Sequence, residues 1–221
     1  MTGGPGGGKT TAADLYRREI GEGVVIVPEA ATLLYMGGFP RHGEAEVMRA
    51  TQRAIYHVQK NLEDAHYANY RHRVLLCDRG TVDGAAYWPG NNTDDFFAHL
   101  GTTLEAELAR YDAVIFFETA AVGGISIEGG NPTRTESLDA ARELDRRLRA
   151  LWSKHPNFVF VPHNASFIRK VNAGLAELEK FVTRYHNGPS GASGCGTNSV
   201  WLTRHILKRN NSHGQQKSSH Q

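Results

Sequence analysis

The sequence predicts an α/β fold built on a parallel sheet, and three observations carry that expectation. Four short apolar runs recur along the chain, amphipathic helical segments separate them, and a glycine run opens the chain directly before a helix. Strands that alternate with helices of this length form right-handed βαβ units, which lay helices against a parallel sheet.

The first element is the glycine run. Residues Gly3, Gly4, Pro5, Gly6, Gly7, Gly8, Lys9 and Thr10 have the spacing G-x-x-x-x-G-K-[ST]. Without a Cβ, successive backbone N–H groups approach phosphate oxygens closely, and the following helix adds its positive end. In this pattern the lysine reaches the outer phosphates and the hydroxyl joins Mg²⁺. The helical composition of KTTAADLYRREI follows at once, with Lys9, Thr10 and Thr11 in its first turn.

"VVIV" at Val24 to Val27 has the pattern of a strand buried on both faces and is followed by Pro28 and Glu29. From Glu44 to Tyr70, Val47, Ala50, Ala54, Ile55, Val58, Leu62 and Ala65 recur at helical spacing, so one long amphipathic helix with that face inward is predicted. "VLLCD" at Val74 to Asp78 is the second strand, and a mixed segment containing Tyr87, Trp88 and Pro89 follows. One helix is predicted from about Asp94 to Arg110, then a third strand from Ala113 to Glu118. "GGISIEGGNPTR" reads as a glycine-rich loop before a helix from about Glu136 to Trp152. Phe158 to Val161 forms the fourth strand, and Ser166 to Tyr185 the last helix.

The composition changes near Asn187, where Gly, Ser, Asn and Gln take over. Residues 1–186 are therefore expected to form one domain and residues 187–221 a low-complexity, mostly disordered tail with a short helical stretch at "VWLTRHILKR". A formal net charge of +2 lacks the basic excess of a general nucleic-acid binder. The two cysteines are too few and too far apart for a disulfide scaffold or a zinc site. No run approaches a membrane span, and no apolar signal segment opens the chain, so a cytoplasmic setting is expected.

Chemistry concentrates where strands end. Asp78 stands at the carboxyl end of its strand, where an acid holds Mg²⁺ directly or through water. Arg79 beside it suits a bidentate clamp on a transferred phosphoryl group, set against the plain alternative of a surface ion pair. Glu29 holds the same topological place after the first strand, as a general base toward a substrate hydroxyl or as a helix-capping acid. Arg134 and Arg142 lie on or beside a helix after a glycine loop, the setting of a closing phosphate contact or of a solvated helix face. Asp83, Tyr87 and Trp88 offer an acceptor pocket, with core packing an equal reading of the two aromatics.

Taken together, "TGGPGGGKTT", "VVIVPEAATLLYMGGFPR", "LLCDRGTVDGAAYWP", "YDAVIFFETAA" and "NPTRTESLDAARELD" resemble an AAA-type ATP-binding domain over roughly Thr2 to Phe181. That family includes the nicotinamide riboside kinase domain of NadR and the metazoan TRPL translocation defect protein. The resemblance implies a three-layer P-loop NTPase fold of the kinase type, with strands ordered 2-3-1-4-5. It matches the loop Gly3 to Thr10, Pro28-Glu29, Asp78 to Gly80 and the N-P-x-R at Asn131 to Arg134. Glu29 with Asp78-Arg79 is also similar to the acceptor-site pattern of deoxynucleoside kinases.

In that strand order the central strand precedes the glycine loop, and here only Met1 and Thr2 do. The expectation is a fold lacking its central strand, with two readings: a natural product that begins upstream, or a genuine variant in which nucleotide binding is weak. The functional expectation is a Mg²⁺-dependent ATP-binding protein, with GTP as the alternative nucleotide. It would act as a kinase or ATPase on an unidentified small nucleoside- or riboside-like acceptor. The alternative is a nucleotide-dependent switch with little turnover and a protein partner. Catalytic roles then fall to Glu29, Asp78, Arg79 and Arg134, nucleotide contacts to Gly3 through Thr11, and the metal to Thr10 and Asp78.

Overall fold

A computed structural model describes residues 1–41, 43–90, 92–124 and 137–187. The chain divides into two compact units, residues 1–179 and 180–221; of the second, the described part is the end of a helix. The expected tail lies outside the described residues apart from Asn187.

Helix α1 (Lys9–Ile20) leads through a short 3₁₀ turn into β1 (Val24–Val27). Then come α2 (Ala30–Met36), α3 (Ala45–Asn69), β2 (Val74–Cys77), α4 (Asp83–Tyr87), α5 (Asp94–His99) and α6 (Leu104–Leu108). The chain continues through β3 (Val114–Phe117), a 3₁₀ turn, α7 (Leu138–Trp152), β4 (Phe158–Val161) and α8 (Phe167–Asn187). All four strands stand where the apolar runs place them. Strands β1 and β2 pair in parallel with Val24 opposite Val74, and β3 and β4 pair in parallel with Val114 opposite Phe158.

Met1 and Thr2 bond to both pairs. The terminal ammonium of Met1 donates to Cys77 O at 2.9 Å and Met1 O accepts from Arg79 N at 2.8 Å, along the β2 side. Thr2 N donates to Ile115 O at 3.0 Å and Thr2 O accepts from Phe117 N at 2.8 Å, forming a parallel bridge to β3. Two residues thus supply backbone partners to the inner edges of β2 and β3, where unpaired buried groups would each cost about 1–3 kcal/mol.

Two helical expectations need correction. The single helix predicted from Asp94 to Arg110 is two helices, α5 and α6. Gly101 adopts a left-handed φ of 66°, and Thr103 starts α6 by accepting the N–H of Ala106 on its side chain. These local capping features outweigh the continuous apolar periodicity. The inward face of α3 is also different: its buried residues are Thr51, Gln52, Tyr56, Gln59 and Glu63, while Ala50 and Ala65 are exposed. Helices α2 and α4 are too short to show a helical period, and the sequence did not reveal them.

The main core joins Trp88, Phe96, Phe97, Leu104 and Leu108 to Val114, Phe116, Leu148, Leu151 and Trp152. It lies between β3, α7 and the α4–α6 segment, and it accounts for Trp88, which is a packing residue: only 1% exposed, its ring 5.5 Å from that of Phe96. No described helix is long and apolar enough to cross a membrane.

Candidate functional site

The glycine run forms a turn that delivers Lys9 and Thr10 into the first turn of α1. Gly8 sits at φ 81° as the residue before the helix, and a Cβ there would lie 2.4 Å from the Phe167 ring. Gly3 has φ 138°, and its Cβ would meet Phe117 O at 2.0 Å. Only glycine meets both demands. Among the described residues the N–H groups of Gly6, Gly8, Lys9 and Thr10 meet no acceptor, which leaves a set of donors at a helix N-terminus.

Lys9 is buried, and its Nζ donates to Gly4 O at 2.8 Å. Burial, with the neighbouring Arg79 charge, lowers the ammonium to about 7, against the opposite pull of Asp78, Glu29 and Asp83. All four groups therefore lie within electrostatic reach of the loop lysine.

Asp78 follows β2 directly, fixed by its N–H to Val27 O at 2.9 Å. Its Oδ2 accepts the Thr10 hydroxyl at 2.6 Å, while its buried Oδ1 has no partner. Burial raises this carboxyl above its ordinary value, with the Thr10 hydrogen bond acting the other way. A buried carboxylate oxygen without a donor, beside a hydroxyl at the mouth of an anion-binding loop, fits a hard cation that takes oxygen ligands. Among the described residues no group of three or more His, Cys, Asp or Glu side chains could hold a metal alone. Magnesium bound by one or two protein oxygens together with phosphate oxygens and water is compatible with that.

Arg79 stands between acids. It adopts a left-handed φ of 72°, with its Nε donating to Glu29 Oε1 and its Nη1 to Asp83 Oδ1 at 3.2 Å. Asp83 also accepts the Thr2 hydroxyl at 2.7 Å and Gly80 N at 3.0 Å. Glu29 Oε2 accepts the Thr32 hydroxyl at 2.6 Å. Burial alone would push the Glu29 carboxyl up, yet the Arg79 guanidinium, Thr32 and Lys9 hold it below its ordinary value. The Tyr87 ring lies 5.8 Å from the Arg79 guanidinium, at the rim of this set.

The structure thus brings together Glu29, Asp78, Arg79, Asp83 and the loop residues. Arg134 lies outside the described residues. Arg142 is half-exposed and bonds to Ala121 O at 2.8 Å and Asp139 at 2.9 Å, at the start of α7.

Sequence reasoning missed a second layer. Glu63 of α3 accepts Tyr111 Oη at 2.8 Å, Arg110 Nη2 at 2.8 Å and Gln59 Nε2 at 3.1 Å. Tyr111 Oη in turn accepts Thr81 N at 2.7 Å, and Gln59 Oε1 accepts Ala30 N at 3.3 Å. One buried carboxylate therefore supports the residues immediately after Glu29 and just beyond Arg79. Asp145, Thr119 and Lys170 likewise reach the glycine loop from behind. A polar residue on the apolar stripe of a helix was the available signal: Asp145 falls between Ala141 and Leu148 on α7.

A glycine turn that feeds a lysine and a threonine into a helix, with a buried aspartate facing the threonine, defines a phosphate-loop nucleotide-binding protein. A family model described as an AAA domain matches residues 1–167, and the chain belongs to that family. The membership carries nucleotide binding and, typically, Mg²⁺. No curated protein matches the chain.

Proposed function

We propose that the chain is a Mg²⁺·ATP-dependent phosphotransferase acting on a small nucleoside- or riboside-like acceptor, akin to the NadR kinase domain. The observation that carries this reading is the Glu29–Arg79–Asp83 set beside the Thr10–Asp78 pair, all within reach of Lys9. The backbone bonds of Met1 and Thr2 support a kinase-type sheet in the order β1-β2-(Met1, Thr2)-β3-β4, which corresponds to 2-3-1-4-5.

Lys9 and the loop N–H groups would bind the phosphates, and Thr10 and Asp78 would hold Mg²⁺. When bound, that ion neutralises charge on phosphate oxygens. Glu29 accepts the proton of the acceptor hydroxyl at a carboxylate kept ionised by Arg79. Arg79 orients Glu29 and supplies positive charge where negative charge builds. Binding supplies orientation, which with electrostatic stabilisation makes up nearly all of catalysis in phosphoryl transfer.

The test is ADP formation from Mg²⁺·ATP against a panel of nucleosides and ribosides, with Glu29→Gln alongside. Acceptor-dependent turnover that Glu29→Gln lowers by roughly a hundredfold or more supports general-base catalysis; unchanged transfer in that variant overturns it. A second reading, a nucleotide-dependent binding module with little turnover, draws on one observation: both Glu29 oxygens already accept hydrogen bonds. Tight binding with no acceptor-dependent ADP formation would favour it.

A further inference from the structure

Three polar side chains reach the back of the glycine loop from distant parts of the chain. Asp145 of α7 is 5% exposed, and its Oδ1 accepts Gly4 N at 2.8 Å and Thr119 N at 2.9 Å. Thr119 donates its hydroxyl to Pro5 O. Lys170 of α8 is 4% exposed, and its Nζ donates to Gly7 O at 2.9 Å and to Glu118 O.

Apolar packing alone asks for neither charge. Asp145 occupies the apolar stripe of α7 between Ala141 and Leu148, where a leucine would bury at no electrostatic cost. Among the described residues Asp145 and Lys170 form no ion pair; the hydrogen bonds of each go to backbone, and the Lys170 ammonium also lies 5.6 Å from the Phe117 ring. Helix α8 is brought close enough by Gly174, whose Cβ would lie 2.3 Å from Tyr16 Oη and 2.4 Å from the Phe117 ring, and by Tyr16 donating to Val171 O at 2.8 Å.

We propose that Asp145 and Lys170 are positioning residues for the phosphate loop, the carboxylate fixing the N–H of Gly4 and the ammonium fixing the C=O of Gly7. A glycine-rich loop loses more conformational freedom on ordering than any other sequence. Anchoring both ends of the run in the folded protein removes most of that cost from the binding step. Asp145 also turns the Gly4 N–H away from the anion, so recognition falls to the donors further along the run. Because Asp145 lies on α7, the helix after the segment with Arg134, it ties that helix to the loop. This inference rests on the loop being a nucleotide site.

The test is calorimetric titration of Mg²⁺·ATP into the full chain and its Asp145→Ala, Asp145→Asn and Lys170→Met variants. Amide exchange at Gly4 and Thr119 is followed by NMR in the same proteins. Asparagine keeps the Oδ1 acceptor, so Asp145→Asn should bind within about threefold of wild type with both amides still protected. Asp145→Ala and Lys170→Met should each bind at least about tenfold more weakly, and Asp145→Ala should lose protection at both amides. A merely structural role predicts lower thermal stability with unchanged affinity in the folded variants, and that result overturns the proposal. Asp145→Asn weakening as much as Asp145→Ala overturns it too. If Asp145→Ala does not fold, Lys170→Met decides, and unchanged affinity there overturns it. Should the wild-type chain bind no nucleotide, the phosphotransferase reading fails, and exchange at Gly4 and Thr119 still decides whether Asp145 holds the loop.

Discussion

Replacing Arg79 by glycine sets two opposing effects against each other at one residue. The left-handed φ of 72° costs a non-glycine residue about 1–2 kcal/mol, and glycine removes that cost. The same change deletes the guanidinium between Glu29 and Asp83, whose side chains are 20% and 7% exposed. Breaking a buried pair by removing one partner costs about 3–5 kcal/mol. Asp83 keeps its bonds from Thr2 and Gly80, which places this case near the lower figure. The net expectation is a loss of about 1–2 kcal/mol at neutral pH, the ion-pair effect winning.

The pH dependence follows from Glu29. In the wild type its lowered carboxyl contributes stability above the unfolded-state value, and that contribution is lost as pH falls through the folded one. Without Arg79 the largest downward influence on the Glu29 carboxyl is gone while burial remains, so the carboxyl moves up and the stability that its ionised form contributes at neutral pH shrinks. Urea unfolding of both proteins from about pH 7 to about pH 4 should show the difference largest at neutral pH and shrinking toward acid. A difference under about 1 kcal/mol, or one that does not vary with pH, would refute the reasoning.

Three further outcomes are expected. Burial lowers the Lys170 ammonium to about 8, with Asp145 and Glu118 pulling it back up. The unfolded chain therefore binds the extra proton between about pH 8 and 10.4, and wild-type stability should rise relative to Lys170→Met across that window, by about 3 kcal/mol in all; thermal melts at each pH check this, and a flat difference contradicts it. Glu63→Ala leaves Arg110 without its closest partner and Gln59 Nε2 without an acceptor, and leaves Tyr111 only its longer bond to Thr81 Oγ1, so a loss of about 3 kcal/mol is expected by chemical denaturation, with Glu63→Gln milder. Asp78→Ala should make nucleotide affinity insensitive to Mg²⁺, and a retained Mg²⁺ dependence would remove Asp78 from the metal site.

The parts legible in the sequence were those with local causes. Each strand is a short continuous apolar run, and β3, which reads VIFF, is buried along its whole length. The loop, Asp78 and Glu29 could be singled out as candidates because strand ends and helix starts have a fixed address along the chain. What stayed hidden depends on tertiary contact. Gln59 and Glu63 face inward on α3 although the apolar periodicity points to its flank, because their partners Ala30, Arg110 and Tyr111 come from other elements. The partners of Asp145 and Lys170 stayed hidden for the same reason, being backbone groups 141 and 163 residues away, although the place of Asp145 on the apolar stripe of α7 marked it as out of pattern. The division of the Asp94–Arg110 helix turned on Gly101 and Thr103, a left-handed turn and a cap that weigh more than leucine spacing.

The most direct measurement is calorimetric titration of nucleoside triphosphates, with and without Mg²⁺, into the wild-type chain and Lys9→Ala. The account predicts Mg²⁺-dependent binding to the wild type and at least about tenfold weaker binding to Lys9→Ala, an ammonium contact to phosphate being a charge-assisted one. Equal affinity in the two proteins, or no triphosphate bound by the wild type, would contradict it.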